Sequence, residues 1–259
     1  MNLDKIASDY RDNGFSLISG FCCEPGLDRI KSVARCFHCA WVQENRAFHD
    51  ARAVNSAYLT SDKYLTDSER LVLFELIASK KLNKLVDALP FEVPAFMGTQ
   101  LFFNPVNKRQ RNYWHRDPQY HLSVDEQKQA LAGPEVIHFR LALEDEPGIE
   151  VVPGSHKQWD TPEQLDIRLE QKGRKHSDDI PEGKKIVLKK GDLLVFSANM
   201  IHRGLYGLNR FAFDILVCES KPEFLEFVKP ECLPKQPMFS SFENSTLFKN
   251  VITHKHVSQ

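Results

Sequence analysis

The spacing of apolar residues changes near residue 94 and divides the chain into two regions. In the first region, apolar side chains recur every three or four residues, a period typical of helices that bury one face. One run of this region, over 15–21, predicts a strand instead. The helices are predicted over 3–12, 25–43 and 66–88, the last range as one or two helices.

Beyond residue 94, short runs of Phe, Val, Ile and Leu are separated by Pro or Gly, which predicts strands joined by turns. The strands are predicted over 96–106, 136–144, 149–152, 186–188, 193–196 and 211–218. Many short strands with little helix between them are typical of a sandwich or barrel. The predicted fold class is therefore mainly β with flanking helices.

The chain is expected to form a single domain over 1–259. Its helix-rich part, 1–93, would pack on a β core over 94–220. Within this core, the polar stretch 157–185 has no clear period and is interpreted as a lid-like insertion. The segment 221–259 contains four prolines, which predicts an irregular tail packed on the core.

Composition and charge exclude several classes of function. With 259 residues, 42% of them hydrophobic, the chain can bury a large core. The net charge of −1 gives no basic excess, so neither nucleic acid nor an anionic membrane surface is expected as a partner. No apolar run approaches the length of a membrane span, and the first residues do not resemble a signal peptide. We expect a cytoplasmic protein with a small-molecule substrate and no obligate protein partner.

The six cysteines are irregularly spaced, which favours reduced thiols over a disulfide framework. Cys36 and Cys39 form a C-x-x-C that, with Cys22 and Cys23, offers an alternative interpretation as a zinc site. Apolar residues recur at helical spacing over 30–41, however, and this pattern favours an ordinary packed helix.

Two distant fragments supply candidate metal ligands. His115 and Asp117 are two positions apart, so on an extended backbone they project to the same side. His202 follows the apolar strand that begins after Gly191-Asp192. Two imidazoles and one carboxylate can hold Fe(II) from one side and leave three octahedral positions open. An H-x-D pair alone is common, so the prediction depends on the fragments meeting in space.

Arg210 begins the strand after His202 and can hold the far carboxylate of 2-oxoglutarate through two parallel hydrogen bonds. A guanidinium inside a sheet is costly unless a carboxylate pairs with it. The alternative partner is internal, an acidic residue such as Asp214, which shares a strand face with Arg210.

These fragments resemble the phytanoyl-CoA dioxygenase family over about residues 5–219. The motifs that carry the resemblance are 13–18 (NGFSLI), 114–117 (WHRD), 151–156 (VVPGSH) and 191–196 (GDLLVF), with His202 and Arg210. The resemblance implies a double-stranded β-helix (jelly-roll, cupin-like) core that uses Fe(II), 2-oxoglutarate and O₂. By position it implies His115, Asp117 and His202 as iron ligands and Arg210 as the 2-oxoglutarate residue. It implies a dioxygenase that hydroxylates a small-molecule or acyl substrate and releases succinate and CO₂.

Other polar residues near these motifs are further candidates for the site. Arg116 and Arg140 depart from the family's pattern, and either can contact 2-oxoglutarate or favour an anionic substrate. Arg140 shares a strand face with His138, and this face lies either inside the barrel or outside it. His121, His138 and Gln100 are candidates for contacting the substrate or supporting the ligands.

Two alternatives to this function remain at the level of sequence. One is a cupin-like metalloenzyme that does not use 2-oxoglutarate and so has no need of Arg210. The other is a non-catalytic metal-binding module with the same fold. The carboxylate ligand Asp117 favours hydroxylation, desaturation or cyclisation over halogenation, because the related halogenases have a small residue there.

Overall fold

The structure, a computed structural model, describes residues 1–256 and contains two antiparallel sheets flanked by helices. The strands are β1 (Phe15–Ile18), β2 (Asn55–Ala57), β3 (Pro94–Phe103), β4 (Val136–Ala142), β5 (Glu146–Val151), β6 (Lys184–Leu188), β7 (Leu193–Ser197), β8 (His202–Gly204) and β9 (Phe211–Glu219). The α-helices are α1 (Leu3–Asn13), α2 (Glu24–Glu44), α3 (Arg46–Ala51), α4 (Asp67–Ile77), α5 (Lys80–Val86), α6 (Val124–Ala130), α7 (Pro162–Arg168), α8 (Pro222–Leu225) and α9 (Thr246–His256).

The larger sheet has six strands in the order β1-β7-β4-β9-β3-β2, and the smaller sheet has three in the order β6-β5-β8. Apolar side chains from both sheets meet in one buried cluster, which includes Ile149 and Val151 of β5 and Leu194 and Phe196 of β7. Two antiparallel sheets packed in this way form the jelly-roll core that the resemblance implied. The predicted fold class is confirmed.

Helices cover the other face of the six-stranded sheet. Ile137 and Phe139 of β4 belong to the same buried cluster as Phe37 of α2. The ring of Phe248 in α9 packs edge-on against Phe96 of β3, with centroids 5.2 Å apart. Since successive side chains of a strand alternate between faces, β4 presents its apolar residues to the helices and its polar residues to the space between the sheets.

All seven predicted strands form, with ends shifted by a few residues. The strands β2 and β8 were not predicted, because three residues are too few to give a period. The region 66–88 divides into α4 and α5, and the side chain of Ser79 caps the second by accepting a hydrogen bond from the N–H of Leu82 at 3.2 Å. The C-terminal segment was predicted to be irregular, but α9 is regular; residues 257–259 of that prediction lie outside the described residues.

Two predictions from composition can be compared with the structure. Cys36 and Cys39 lie exposed on α2, and none of the described cysteines joins a group able to hold a metal, so the zinc alternative has no support. None of the helices within residues 1–256 is long and apolar enough to cross a membrane.

The C-terminal segment is held to the N-terminal region by one buried guanidinium. Arg70 of α4 is fully buried and donates to the carbonyls of Thr60 (2.8 Å), Glu231 (2.9 Å) and Leu233 (2.8 Å). Its charge is balanced by Asp67, at 3.0 Å. Three backbone carbonyls therefore accept hydrogen bonds from this side chain, and that of Glu231 also accepts one from the N–H of Asp62 at 3.3 Å.

Replacing Arg70 with Met is expected to lower the free energy of unfolding by about 3 kcal/mol, because buried acceptors lose their donor. Denaturant unfolding of the purified variant measures this change. The control is Arg29→Met, since Arg29 is 65% exposed and its loss should cost no more than about 0.5 kcal/mol. Equal effects for the two variants would show that Arg70 does not hold the segment in place.

Candidate metal centre

The candidate metal ligands come together through the backbone. His115 donates its N–H to the carbonyl of His202, and His202 donates its N–H to the carbonyl of His115, each with an N–O distance of 2.9 Å. His202 begins β8, which pairs with β5. This pairing adds His115 to the edge of the three-stranded sheet and fixes the two histidines side by side.

The two imidazoles are oriented alike. Nδ1 of His115 lies 3.1 Å from the carbonyl oxygen of Tyr113, and Nδ1 of His202 lies 2.9 Å from that of Met200. Because a carbonyl oxygen only accepts, each Nδ1 carries the hydrogen and each Nε2 keeps a lone pair for a metal. Burial, together with the neighbouring His115, lowers the pKa of His202 to about 3 and keeps this ring neutral.

Asp117 supplies the third ligand from a short 3-10 helix that begins with it. Its N–H donates to the carbonyl of Ala198 at 3.1 Å. Its Oδ1 lies 3.4 Å from Nε2 of His115 and 3.7 Å from Nε2 of His202. The ligand atoms of the three side chains all lie within 4.8 Å of one another, and the described chain contains no other such group of three.

This donor set fits Fe(II). Two neutral imidazoles and one carboxylate on one side of the ion leave three positions for other ligands. Burial opposes ionisation of Asp117, but the neighbouring His138, His115 and His202 hold the pKa of this carboxyl well below its usual range. Asp117 is therefore available as an anionic ligand at neutral pH.

His138 lies between two carboxylates. Its Nε2 is 2.7 Å from Oδ2 of Asp117, and its Nδ1 is 2.8 Å from Oδ2 of Asp214. Burial alone would lower the pKa of His138, but the two carboxylates raise it to about 10, so both ring nitrogens carry hydrogens. The sequence did not decide whether the face of β4 with His138 and Arg140 lies inside or outside the barrel. In the structure it lies inside.

Arg210 lies just before β9, in the wall of the cavity that holds the ligands. Its Nη1 donates to the carbonyls of Phe103 (2.6 Å) and Val54 (3.3 Å), while its buried Nε has no hydrogen-bond partner. No carboxylate of the described chain forms a salt bridge with this guanidinium. The alternative pairing with Asp214 does not form, because Asp214 bonds to His138 instead.

Arg140 is paired with a buried carboxylate. Its Nε and Nη2 donate to Oε1 of Glu146 at 3.1 and 2.9 Å. The guanidinium carbons of Arg140 and Arg210 both lie over the ring of Phe102, at 4.6 and 5.3 Å from its centroid. Burial and the nearby Arg140 lower the pKa of Arg210 to about 10, which leaves it charged at neutral pH. Glu146 is thus paired with Arg140 alone, and the positive charge of Arg210 has no carboxylate bonded to it.

Arg116, a predicted contact of 2-oxoglutarate, does not line the cavity. Its guanidinium donates to Asp160 at 2.9 and 2.7 Å and to the carbonyls of Ser155 (2.5 Å), Gln158 (2.9 Å) and Asn199. All five of its N–H groups are used in these bonds. Arg116 therefore has no donor left for a cosubstrate, and the structure does not bring it to the site.

The ligands lie in the wall of a cavity of about 890 Å³. Gln100 and His121 also line this cavity, but neither belongs to the metal-binding group. The amide of Gln100 accepts a hydrogen bond from Asn55 at 3.4 Å, and the exposed ring of His121 packs on Phe227 at 5.1 Å. Their positions are compatible with contact to a substrate and not with binding of the ion.

The segment 157–185 does not cover the cavity and contributes no residue to its wall. It contains α7, and Ile167 and Ile180 pack with the fully buried Trp114, which precedes His115. The interpretation as a lid is therefore wrong in its geometry. This segment instead packs against the chain that carries His115, on the side away from the cavity.

Three tyrosines near the ligands were not predicted from the sequence. The rings of Tyr113 and Tyr120 lie 5.1 and 5.6 Å from that of His115, and the ring of Tyr206 lies 5.3 Å from the guanidinium carbon of Arg210. All three line the cavity. Tyr113 had a detectable signal, because the residue two positions before a ligand on an extended chain projects to the same side. Tyr120 ends the short 3-10 helix that begins at Asp117, and Tyr206 lies in a loop, so neither belongs to an element long enough to show a period.

Replacing His202 with Ala is expected to abolish binding of Fe(II), because the remaining two ligands hold the ion too weakly. The measurement is the visible charge-transfer band that appears when Fe(II) and 2-oxoglutarate are added without oxygen. His121→Ala is the matched control, since His121 lines the same cavity without being a ligand, and it should keep the band. If folded wild-type protein gives no band, the assignment of an iron site is wrong.

Comparison with known proteins agrees with this site. The family model described as phytanoyl-CoA dioxygenase (PhyH) matches residues 10–206, a range that includes His115, Asp117 and His202 and ends just before Arg210. No curated protein sequence matches the chain.

Three solved structures illustrate the fold that this chain shares with other proteins. AviO1 from Streptomyces viridochromogenes Tue57 is 17% identical, with a TM-score of 0.56 over 85% of this chain and 96% of that one. The epimerase SnoN, solved with Fe³⁺, alpha ketoglutarate and nogalamycin RO, is 16% identical, with a TM-score of 0.52 over 84% of each chain. EctD from S. alaskensis with bound Fe is 14% identical, with a TM-score of 0.56 over 83% of this chain and 76% of that one.

At such low identities, these similarities establish the fold, and the family model establishes the family. The matched range covers most of the chain and contains all three candidate metal ligands. The chain belongs to the phytanoyl-CoA dioxygenase family and is an Fe(II)- and 2-oxoglutarate-dependent oxygenase.

Proposed function

We propose that this protein hydroxylates a C–H bond of a bulky, largely apolar small molecule in the cytoplasm, with 2-oxoglutarate and O₂ as cosubstrates. The observation that supports this most directly is the buried guanidinium of Arg210, which has no carboxylate partner in the wall that holds the iron ligands. A buried charge is costly without a partner. The far carboxylate of 2-oxoglutarate has the charge and the planar shape that this guanidinium requires.

The surroundings of Arg210 leave one edge of its guanidinium without a hydrogen-bond partner from the protein. The carbonyls of Phe103 and Val54 hold Nη1, so Nε and Nη2 remain to donate to a carboxylate in parallel. Gly204 provides the space, because a Cβ at this position would lie only 2.7 Å from Nη2. The glycine and the two carbonyls together present the guanidinium in a fixed orientation.

Each group of the site then has a defined task. His115, Asp117 and His202 hold the ion from one side, and Arg210 fixes the far end of 2-oxoglutarate. When bound, the iron and 2-oxoglutarate supply the oxidation: one oxygen atom of O₂ enters succinate, which is released with CO₂, and the other enters the substrate as a hydroxyl. The buried walls around these groups exclude water and orient the substrate.

The size of the cavity indicates the size of the substrate. Its volume of about 890 Å³ is near the upper end of the range for small-molecule pockets, about 300–1,000 Å³. The small 2-oxoglutarate fills only part of this space. Away from the ligands the wall contains a group of apolar side chains, Met97, Leu122, Leu216, Phe224 and Phe227. These features favour a bulky apolar substrate over a free amino acid or a small osmolyte.

The charges of the cavity favour a neutral or cationic substrate. Glu126, Glu223 and Glu226 are the exposed charged residues of the wall, and Arg140 is neutralised by Glu146. These three glutamates would repel a polyanion such as an acyl-CoA. The anionic substrate suggested by the basic residues of the sequence is therefore disfavoured.

Replacing Arg210 with Met is expected to raise the KM for 2-oxoglutarate at least thirtyfold, because a charge-assisted pair contributes about 2 kcal/mol or more. Arg210→Lys keeps the charge but not the fork, and should give an intermediate value. Succinate formation measures both. Arg109→Met, on an exposed loop, is the control and should leave the KM unchanged.

The same variants distinguish the main alternative. A cupin-like metalloenzyme without 2-oxoglutarate would keep its metal binding and its activity in Arg210→Met. This outcome, in protein that unfolds cooperatively, would contradict the proposed cosubstrate.

The substrate class can be tested by measuring succinate formation with a panel of candidates matched in size and differing in charge. We expect bulky apolar neutral or cationic compounds to stimulate succinate formation above the level without substrate. The product should gain one oxygen atom by mass spectrometry. Stimulation by acyl-CoA thioesters alone would show that our interpretation of the cavity charges is wrong.

A further inference from the structure

The buried side chain of His138 gives the two carboxylate oxygens of Asp117 different surroundings. Oδ1 of Asp117 lies near Nε2 of His115 and of His202, at 3.4 and 3.7 Å. Oδ2 of the same carboxylate accepts a hydrogen bond from Nε2 of His138 at 2.7 Å. One oxygen thus faces the metal-binding atoms, while the other is committed to a residue of the sheet.

His138 is itself held rigidly in place. It is 3% exposed and lies on β4, between β7 and β9 in the six-stranded sheet. Its ring stacks on Phe196 of β7, with centroids 4.5 Å apart and an interplanar angle of 13°. Its Nδ1 donates to Asp214 of β9, which is fully buried, at 2.8 Å. The imidazole can therefore neither rotate nor shift without breaking a contact to a neighbouring strand.

Asp117 has no comparable support of its own. It lies outside both sheets, at the start of a 3-10 helix, and its side chain is about one third exposed to the cavity (31%). A carboxylate with free rotation can bind a metal through both oxygens. That mode would occupy one of the three positions that cosubstrate and O₂ require.

We propose that His138 is a positioning residue that holds Asp117 with a single oxygen directed at the iron, and that Asp214 orients His138 for this task. The inference rests on the iron site of the proposed function. Partners of this kind are often as consequential as the ligands, and their loss typically weakens metal binding by about 10–100-fold. The buried line Asp117–His138–Asp214 thereby connects the iron ligand to the centre of the sheet.

The test compares His138→Leu, which cannot donate a hydrogen bond, with His138→Gln, whose amide can still donate to Asp117. Fe(II) affinity is measured without oxygen by competition with a chromogenic chelator. The d–d spectrum of Co(II)-substituted protein reports the coordination number. We expect His138→Leu to lose about 10–100-fold in affinity and to change the Co(II) spectrum. His138→Gln should recover most of the affinity and the wild-type spectrum.

Two further variants make the result decisive. Asp214→Asn, which leaves His138 in place but removes its charged partner, should weaken Fe(II) binding less than His138→Leu does. His121→Leu removes a histidine of the same cavity that does not contact Asp117, and should leave affinity and spectrum unchanged. If His138→Leu unfolds, the comparison of Asp214→Asn with wild type still decides, because Asp214→Asn should weaken Fe(II) binding.

Wild-type affinity and spectrum in folded His138→Leu, or in Asp214→Asn if His138→Leu does not fold, would overturn the positioning role. That result would leave the proposed function intact. Absence of stoichiometric Fe(II) binding in the wild type would instead refute the iron site itself, so the two failures are distinguishable.

Discussion

The pairing of His115 with His202 is the constraint on which the rest of the site depends. Two reciprocal backbone hydrogen bonds join segments that are far apart in the sequence, so the distance between the imidazoles is set by the main chain. The side chains need only one further bond each, from Nδ1 to a carbonyl, to direct both Nε2 atoms the same way. A metal site built on a β-bridge is preorganised in this sense, because little conformational entropy is lost when the ion binds.

A second constraint comes from charges buried between the sheets. His138 has two carboxylates beside it, and Arg140 has one. Such arrangements balance the cost of removing charge from water only when each group has its partner. Arg210 is the exception on these strands, and this imbalance is what makes it informative about a ligand.

Much of the fold and of the candidate site was predictable from the sequence. Side chains of a strand alternate between its two faces, and His115 and Asp117 form an H-x-D pair. The limits have equally physical causes. Arg116 was a poor candidate, since the residue between two ligands on an extended chain projects to the opposite side. Arg210 and Asp214 share a strand face, but four residues of strand span about 13 Å, too far for a salt bridge.

Other features had no local signal at all. The partner of His138 on β9 depends on the strand order, which the sequence of either strand does not contain. The polar composition of 157–185 indicated a surface segment, but not the side of the core on which it lies. Tyr120 and Tyr206 were missed for the same reason, because their proximity to the candidate ligands and to Arg210 arises only from the tertiary fold.

The cavity wall is built partly from strands and partly from segments outside the strands. The end of the cavity near the candidate metal ligands is lined largely by the sheets, although Asp117 lies outside them. Its exposed end is built from the segments 118–134 and 223–227, which lie outside the strands. The outer wall is thus built from chain that the two sheets do not hold in place. Because the segment 223–227 lies far in the sequence from His115, Asp117 and His202, exchanging it between related enzymes is expected to change the outer wall and to leave these three residues in place.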